Sequence, residues 1–223
     1  MRQLTLDIHP DAPPTLDNFV VGENAALIDA IEHALIGAGH LYVWGPDGSG
    51  RSHLLQAAVT AAIAANRPGG FVAASTCGQA LPADAGLLLA VDDIDRLSPD
   101  AQIALFNRFN AARERRQTLL LSGPCPPRDL RLREDLRTRV GQCLIFELRP
   151  LDDATRREIL ETHANRRGLI VPDDVIEFML RHGRRDLPTL LHVLDALDRA
   201  SLERKRAVTL PLLRELIQAG LPF

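Results

Sequence analysis

The sequence predicts an α/β fold, a five-stranded parallel sheet with helices between its strands, followed by a small all-helical domain. Three observations carry this reading. Short apolar runs alternate with amphipathic stretches as far as Pro150, a glycine-rich turn joins the first such run to a helix, and beyond Pro150 only helical patterns recur. At 223 residues the chain is long enough for one main domain with a smaller appendage.

Taken in order, Asn24 to Ile36 carries apolar residues at helical spacing and stops at Gly37, a helix-ending signal. His40 to Trp44 reads as the first strand, and Arg51 to about Ala65 as the helix that follows the glycine-rich turn. Further buried-type strands are expected at Phe71 to Ala74, Gly86 to Val91, Thr118 to Ser122 and Cys143 to Leu148. Between them, Ala101 to Arg115 follows the start signal Ser98-Pro99. Past Pro150, helices are expected over Asp152 to Arg167, Pro172 to His182, Leu187 to Leu202 and Thr209 to Ala219, punctuated by Gly168 and Gly183. The expected division is a loose tail over 1–15, an α/β domain over 16–150 and a helical domain over 151–223.

Composition excludes several classes. With 46% hydrophobic and 25% charged residues the chain has the makings of a packed core. It lacks an apolar run of the roughly 20 residues that a membrane span needs, and its start lacks a secretory pattern, so a cytoplasmic location is expected. Cys77, Cys125 and Cys143 fit neither a disulfide framework nor a CxxC site and read as reduced, structural thiols. The seven histidines are scattered, so no metal beyond nucleotide-bound magnesium is expected. A net charge of −3 argues against a dedicated DNA-binding surface, and Arg113-Glu114-Arg115-Arg116 and Arg204-Lys205-Arg206 read as solvated helix faces.

Gly45-Pro46-Asp47-Gly48-Ser49-Gly50-Arg51-Ser52 has the P-loop spacing, with arginine where lysine is usual. Glycines let backbone N–H groups turn toward phosphate oxygens, the helix start adds favourable potential, and the Ser52 hydroxyl is placed for Mg²⁺. The bland alternative is a turn that binds nothing. Against it stands Leu87-Leu88-Leu89-Ala90-Val91-Asp92-Asp93, an apolar strand ending in two acids, the Walker B pattern. Asp92 would orient magnesium and Asp93 would polarise an attacking water, provided hydrolysis occurs here; the competing reading is a helix cap after a buried strand. Arg51 is a bulkier phosphate contact than lysine, compatible with binding and unfavourable for fast hydrolysis.

Several stretches resemble the DnaA-related AAA+ family, and in particular its Hda branch. Leu16 to Asn24, including Val20 and Val21, resembles the segment that lines the adenine pocket, and Arg51-Ser52-His53-Leu54-Leu55 resembles the Hda-type P-loop helix. Asp92-Asp93-Ile94 is similar to the DnaA-type Walker B, and Pro126 to Leu130 to the loop after the sensor 1 strand. Asp135-Leu136-Arg137-Thr138-Arg139 resembles the box that bears the arginine finger, assigned to Arg139 with Arg137 as its rival. Leu194 to Ser201 resembles the Hda lid helix. The chain departs from the family at sensor 2, where Pro188 replaces the arginine and Arg184 and Arg185 are the nearest substitutes. At sensor 1 the polar residue is either Ser122 or lost to Gly123-Pro124.

The resemblance implies an AAA+ body binding ADP or ATP with Mg²⁺ through 45–53, and a lid over 151–223. It also implies partnership with DnaA and with the β-subunit sliding clamp of DNA polymerase III. Gln3-Leu4-Thr5-Leu6 resembles the clamp-binding peptide, in which Gln3 would hydrogen-bond while Leu4 and Leu6 fill apolar slots. Where the initiator continues into a helix-turn-helix domain, this chain stops at Phe223, so no dedicated DNA-binding domain is expected. The leading expectation is an adaptor that binds the DNA-loaded clamp and presents Arg139 to the ATP of DnaA, restraining replication initiation. The alternative is an autonomous DNA-dependent ATPase such as a helicase loader, with homo-oligomers compatible with either. A third is a degenerate scaffold with an empty pocket.

Overall fold

The structure is a computed structural model, and it describes residues 14–17, 19–37, 39–184 and 186–223. Two compact units are present. One takes in the described residues up to Val21 together with Ala25–Trp44 and Arg51–Glu147; the other comprises Gly22–Asn24, Gly45–Gly50 and Leu148–Phe223.

The first unit is a parallel sheet of five strands, β1 (His40–Trp44), β2 (Gly69–Ala73), β3 (Leu88–Asp92), β4 (Thr118–Gly123) and β5 (Leu144–Glu147), in the order β2-β3-β4-β1-β5. The chain leaves β1 for the far edge, walks back through β3 and β4, and then crosses to the other side of β1. That reversal puts β1 and its neighbours at a topological switch point, where carboxyl ends of strands open a crevice for ligands.

The helices of this unit are α1 (Ala25–Ile36), α2 (Arg51–Ala64), α3 (Pro99–Ala112) and α4 (Glu134–Val140). On one face Tyr42, Leu89, Val91, Leu119 and Leu121 pack with Ala101, Leu105 and Phe109 of α3 and Leu136 and Val140 of α4. The alternate strand residues Leu41, Val43, Leu88, Ala90 and Leu120 are buried as well, and α2 packs on β2, β3 and β4. Burial on both faces explains why the central strands read as unbroken apolar runs. The edge strand β5 is the exception, with Leu144 59% and Ile145 42% exposed.

Local chemistry sets the ends. Ser98 accepts a hydrogen bond from the Ala101 amide and Pro99 occupies the first turn of α3, a cap worth about 1 kcal/mol. Gly86 lies outside β3, at φ +75, with its N–H on the Arg115 carbonyl, so the strand starts two residues later than its apolar run suggests. The box before β5, an apolar-periodic stretch over Asp135 to Val140, is the two-turn helix α4.

The second unit holds α5 (Asp153–Arg166), α6 (Asp173–His182), α7 (Leu187–Arg204) and α8 (Leu210–Gln218). Its core joins Leu160, Ile176, Met179, Leu190, Leu194 and Leu213, contributed by all four helices. Asp152, Asp186 and Thr209 cap α5, α7 and α8 through their side chains. Asp195 of α7 accepts from His163 Nε2 at 2.9 Å and Arg167 Nη1 at 2.8 Å, fastening α7 to the end of α5. Among the described residues no helix is long and apolar enough to cross a membrane.

Candidate functional site

In the α/β unit the site is built on the carboxyl ends of β3 and β4. Val91 stands opposite Leu121, so the next residues along each strand, Asp92 and Ser122, lie side by side. Both are buried, and the Ser122 hydroxyl donates to Asp92 Oδ1 at 2.5 Å while accepting from the Asp93 N–H at 2.9 Å. One hydroxyl thereby fixes the first acid's carboxylate and the second acid's backbone.

Asp93 itself adopts a left-handed conformation, φ +52, at the start of the turn after β3. Such a backbone is uncommon outside glycine, asparagine and aspartate, and here it directs the side chain toward α2. Arg51, the first residue of α2, donates from Nη2 to Asp93 Oδ1 at 3.0 Å, and Arg96 approaches the other oxygen at 3.7 Å. Asp95, next along, is raised above the ordinary carboxylate range, chiefly by burial. Ser52, one residue into α2, is exposed. Among the described residues no group of three or more histidines, cysteines, aspartates or glutamates is placed to hold a metal. Ser52 and Asp92, the residues expected to hold Mg²⁺, would offer it hard oxygen donors of the kind that cation takes.

Behind these acids, the buried Tyr42 hydroxyl donates to the Cys125 carbonyl at 2.6 Å. Burial, and then nearby Cys125 and Asp95, hold its pKa well above the ordinary tyrosine value. The tyrosine leaves no room for a side chain at residue 123, where a Cβ would come within 2.3 Å of its oxygen. Gly123 thus answers to Tyr42, and Ser122 supplies the polar group at this strand end.

The segment resembling the adenine-pocket lining is half-buried at Val20 and Val21. Beside it, the Phe19 ring lies 5.9 Å from the His53 ring. Burial lowers the His53 pKa, opposed by a hydrogen bond with the Thr15 backbone, so this imidazole is neutral near pH 7.

The glycine-rich turn belongs to the second unit. Gly48 and Gly50 have φ +76 and +98, conformations that other L-residues resist. A Cβ at Gly45 would lie 2.6 Å from the Leu148 carbonyl, and one at Gly48 would lie 3.3 Å from Asp186 Cβ. The Ser49 Oγ is buried without a protein hydrogen-bond partner, and the Ser49 N–H closes the turn onto the Pro46 carbonyl at 3.2 Å. A backbone loop of this kind, with a buried hydroxyl awaiting an acceptor or donor, fits an anionic phosphate. In the same unit, Asn24 exchanges two hydrogen bonds with the Arg149 backbone at 3.0 and 2.9 Å, and Glu23 pairs with the Arg149 guanidinium at 2.7 Å. These bonds tie the Glu23–Asn24 segment to the start of the helical region, a link with no local sequence signal.

At the start of α7, Asp186 accepts from the Thr189 amide at 3.0 Å, and Pro188 fills a first-turn position that needs no donor. Burial pushes the Asp186 carboxyl up, but the Thr189 hydrogen bonds and Arg184, 3.1 Å away, outweigh it and leave the pKa lowered. Arg184 pairs with the α7 cap residue Asp186 here, and Arg185 lies outside the described residues. Gln3, Leu4 and Leu6 lie outside them too.

Arg139 is exposed in the last turn of α4, where its Nη2 donates to Asn110 Oδ1 at 3.0 Å and its guanidinium lies 5.9 Å from the Phe106 ring centre. Arg137, two residues earlier, is half-buried.

Comparison with known proteins locates this architecture. Residues 153–217 match the family model for the lid domain of Hda. Domain III of the replication initiation protein DnaA from Thermotoga maritima superposes with a TM-score of 0.75 at 20% identity, over 96% of this chain and 99% of that one. AMPPCP-bound DnaA from Aquifex aeolicus gives 0.68 at 23% identity, over 87% and 70%. A variant of Thermotoga maritima RuvB gives 0.71 at 18% identity, over 93% and 72%. The five-stranded parallel sheet followed by four helices is the AAA+ fold shared with these structures, and residues 153–217 are similar to the lid domain of Hda.

Proposed function

We propose that this protein is a nucleotide-bound regulator of the initiator DnaA, acting as an adaptor that makes DnaA hydrolyse its ATP. The Hda-type lid at 153–217 behind a DnaA-like body is the observation that carries this reading. An adenine nucleotide would take its phosphates from the 45–50 turn and Arg51, its base from Val20, Val21 and the His53 end of α2, and its Mg²⁺ from Ser52 and Asp92. Magnesium supplies charge neutralisation at the phosphates when bound. AMPPCP in the Aquifex aeolicus DnaA structure supports nucleotide binding here, with ADP or ATP as the ligand proposed.

Turnover at this protein's own site is disfavoured. Asp93, the residue expected to polarise water, has its carboxylate on Arg51, and Pro188 leaves the sensor 2 position without a donor. That also weighs against an autonomous DNA-dependent ATPase. The useful cation is Arg139, on the surface of α4, where a guanidinium can donate to charge developing on a neighbour's phosphate, an effect worth about 10³–10⁵ in rate. Gln3, Leu4 and Leu6 would bring the protein to the sliding clamp, and 1–15, 16–150 and 151–223 would serve as clamp-binding tail, nucleotide-binding body and lid.

The deciding assay follows hydrolysis of DnaA-bound ATP with this protein, with and without DNA-loaded clamp. Clamp-dependent acceleration is expected, lost in Arg139→Ala with nucleotide and clamp binding retained, and lost with clamp binding when Gln3, Leu4 and Leu6 all become alanine. No acceleration under any condition removes the proposal; acceleration unaffected by Arg139→Ala but abolished by Arg137→Ala moves the finger within the box.

A further inference from the structure

The surroundings of Arg139 contain an acceptor that holds it without neutralising it. The nearest carboxylates in sequence are Glu134 and Asp135 on α4 itself, yet Asp135 is taken by Arg133 Nη2 at 2.9 Å and by the Leu136 N–H at 2.8 Å. Arg139 turns instead to α3, where Asn110 and Phe106 stand one turn apart and present an amide oxygen and a ring face. Among the described residues no carboxylate bonds its guanidinium.

We infer that Asn110 is a positioning residue for Arg139, orienting its guanidinium through a neutral amide so that the full positive charge remains available to an incoming phosphate. This rests on Arg139 being the trans-acting group of the proposed function. An unrestrained arginine has rotamer freedom that must be lost when it engages a phosphate. A carboxylate at residue 110 would restrain it equally well, but an arriving phosphate would then have to displace an ion pair. An amide oxygen occupies one of five N–H donors and leaves the charge uncancelled. The Phe106 ring, at 5.9 Å, adds a second contact that likewise has no countercharge.

Asn110→Asp separates this role from a merely structural contact. The substitution is isosteric, Asn110 is exposed, and the aspartate would bond Arg139 more strongly, so a structural contact predicts an unchanged or higher melting temperature and an unchanged rate. The inference predicts that Asn110→Asp lowers the saturating stimulation of DnaA-bound ATP hydrolysis about tenfold, while Asn110→Ala lowers it a few-fold, with half-saturating concentrations unchanged. If Asn110→Asp stimulates like the parent while Arg139→Ala does not stimulate, the positioning role is overturned and the arginine finger stands. A change confined to the half-saturating concentration also overturns it, making Asn110 a docking contact. If Arg139→Ala retains full stimulation, the reading of Arg139 falls and this inference falls with it.

Discussion

Arg51 and Asp93, 42 positions apart, form a 3.0 Å ion pair that joins the first residue of α2 to the acid just beyond the end of β3. Side-chain exposures of 8% and 25% make this a largely desolvated pair, in which each group is held by the other more firmly than at a surface. On the proposed nucleotide-binding role, a phosphate engaging Arg51 would have to compete with Asp93 for the same guanidinium fork.

Asp93→Asn should therefore tighten nucleotide binding, because the amide keeps an acceptor near Arg51 but gives up the competing charge. The expected gain is about three- to tenfold in affinity, up to about 1.4 kcal/mol. Calorimetric titration with ADP and with ATP checks it. Unchanged or weaker binding would show that Arg51 does not leave Asp93 when phosphate binds.

The Ser122 hydroxyl predicts a different defect. Ser122→Ala leaves a buried Asp92 oxygen and the Asp93 N–H without their partner, a cost of about 1–3 kcal/mol in stability. Asp92 would also lose its orientation, so nucleotide affinity in magnesium should drop while affinity in excess chelator stays the same. Equal loss in both conditions would assign Ser122 a purely structural part.

The residues of this site were unequally legible in the sequence. The 45–52 spacing and the apolar run before Asp92-Asp93 are local patterns, because a strand, a turn and a helix start each depend on neighbours a few residues away. Ser122 remained one of two options until the β3–β4 register set it beside Asp92, and register is not written in either strand alone. The Arg51–Asp93 pair, the Asn24–Arg149 exchange and the Asn110 contact to Arg139 span 42, 125 and 29 residues, so they follow from tertiary packing. Gly123 looked like an interruption of the polar position, whereas its lack of a side chain is what admits Tyr42.

Arg67 is a comparable long-range device with a stability readout. It donates to the Ala34 and Leu35 carbonyls at 2.6 and 3.0 Å, to the Gly86 carbonyl at 2.7 Å and to Thr118 Oγ1 at 2.8 Å. The last carbonyls of α1 have no partners within the helix, and this guanidinium meets them. Arg67→Ala should cost roughly 2–4 kcal/mol in chemical denaturation, and Arg67→Lys should recover little because one ammonium cannot reach four acceptors in a plane. A loss below about 1 kcal/mol for Arg67→Ala would show that solvent replaces these bonds without penalty.

The pH dependence of stability should carry the signature of His40. Its Nδ1 accepts the Leu119 N–H at 3.2 Å inside the β1–β4 ladder, and its ring meets Phe109 edge-on at 5.3 Å. Protonating Nδ1 removes the only acceptor that imidazole offers there. Burial accordingly lowers the folded-state pKa, opposed by a weaker hydrogen bond with the Gly39 backbone. The unfolded chain has the ordinary value near 6.5, so below it the unfolded state binds more protons than the folded state. The contribution of His40 is thus fully present above pH ~6.5 and is lost as pH falls through the lower folded-state value. His40→Gln supplies an amide oxygen for the Leu119 N–H and cannot titrate. Between about pH 7 and pH 5 the parent should lose about 2–4 °C more in melting temperature than His40→Gln, the shift that ~1 kcal/mol makes in a chain of this size. His53, also lowered by burial, is present in both proteins and cancels in the comparison. Parallel melting curves across that range would mean that His40 keeps its proton balance on unfolding, and that Leu119 finds another acceptor.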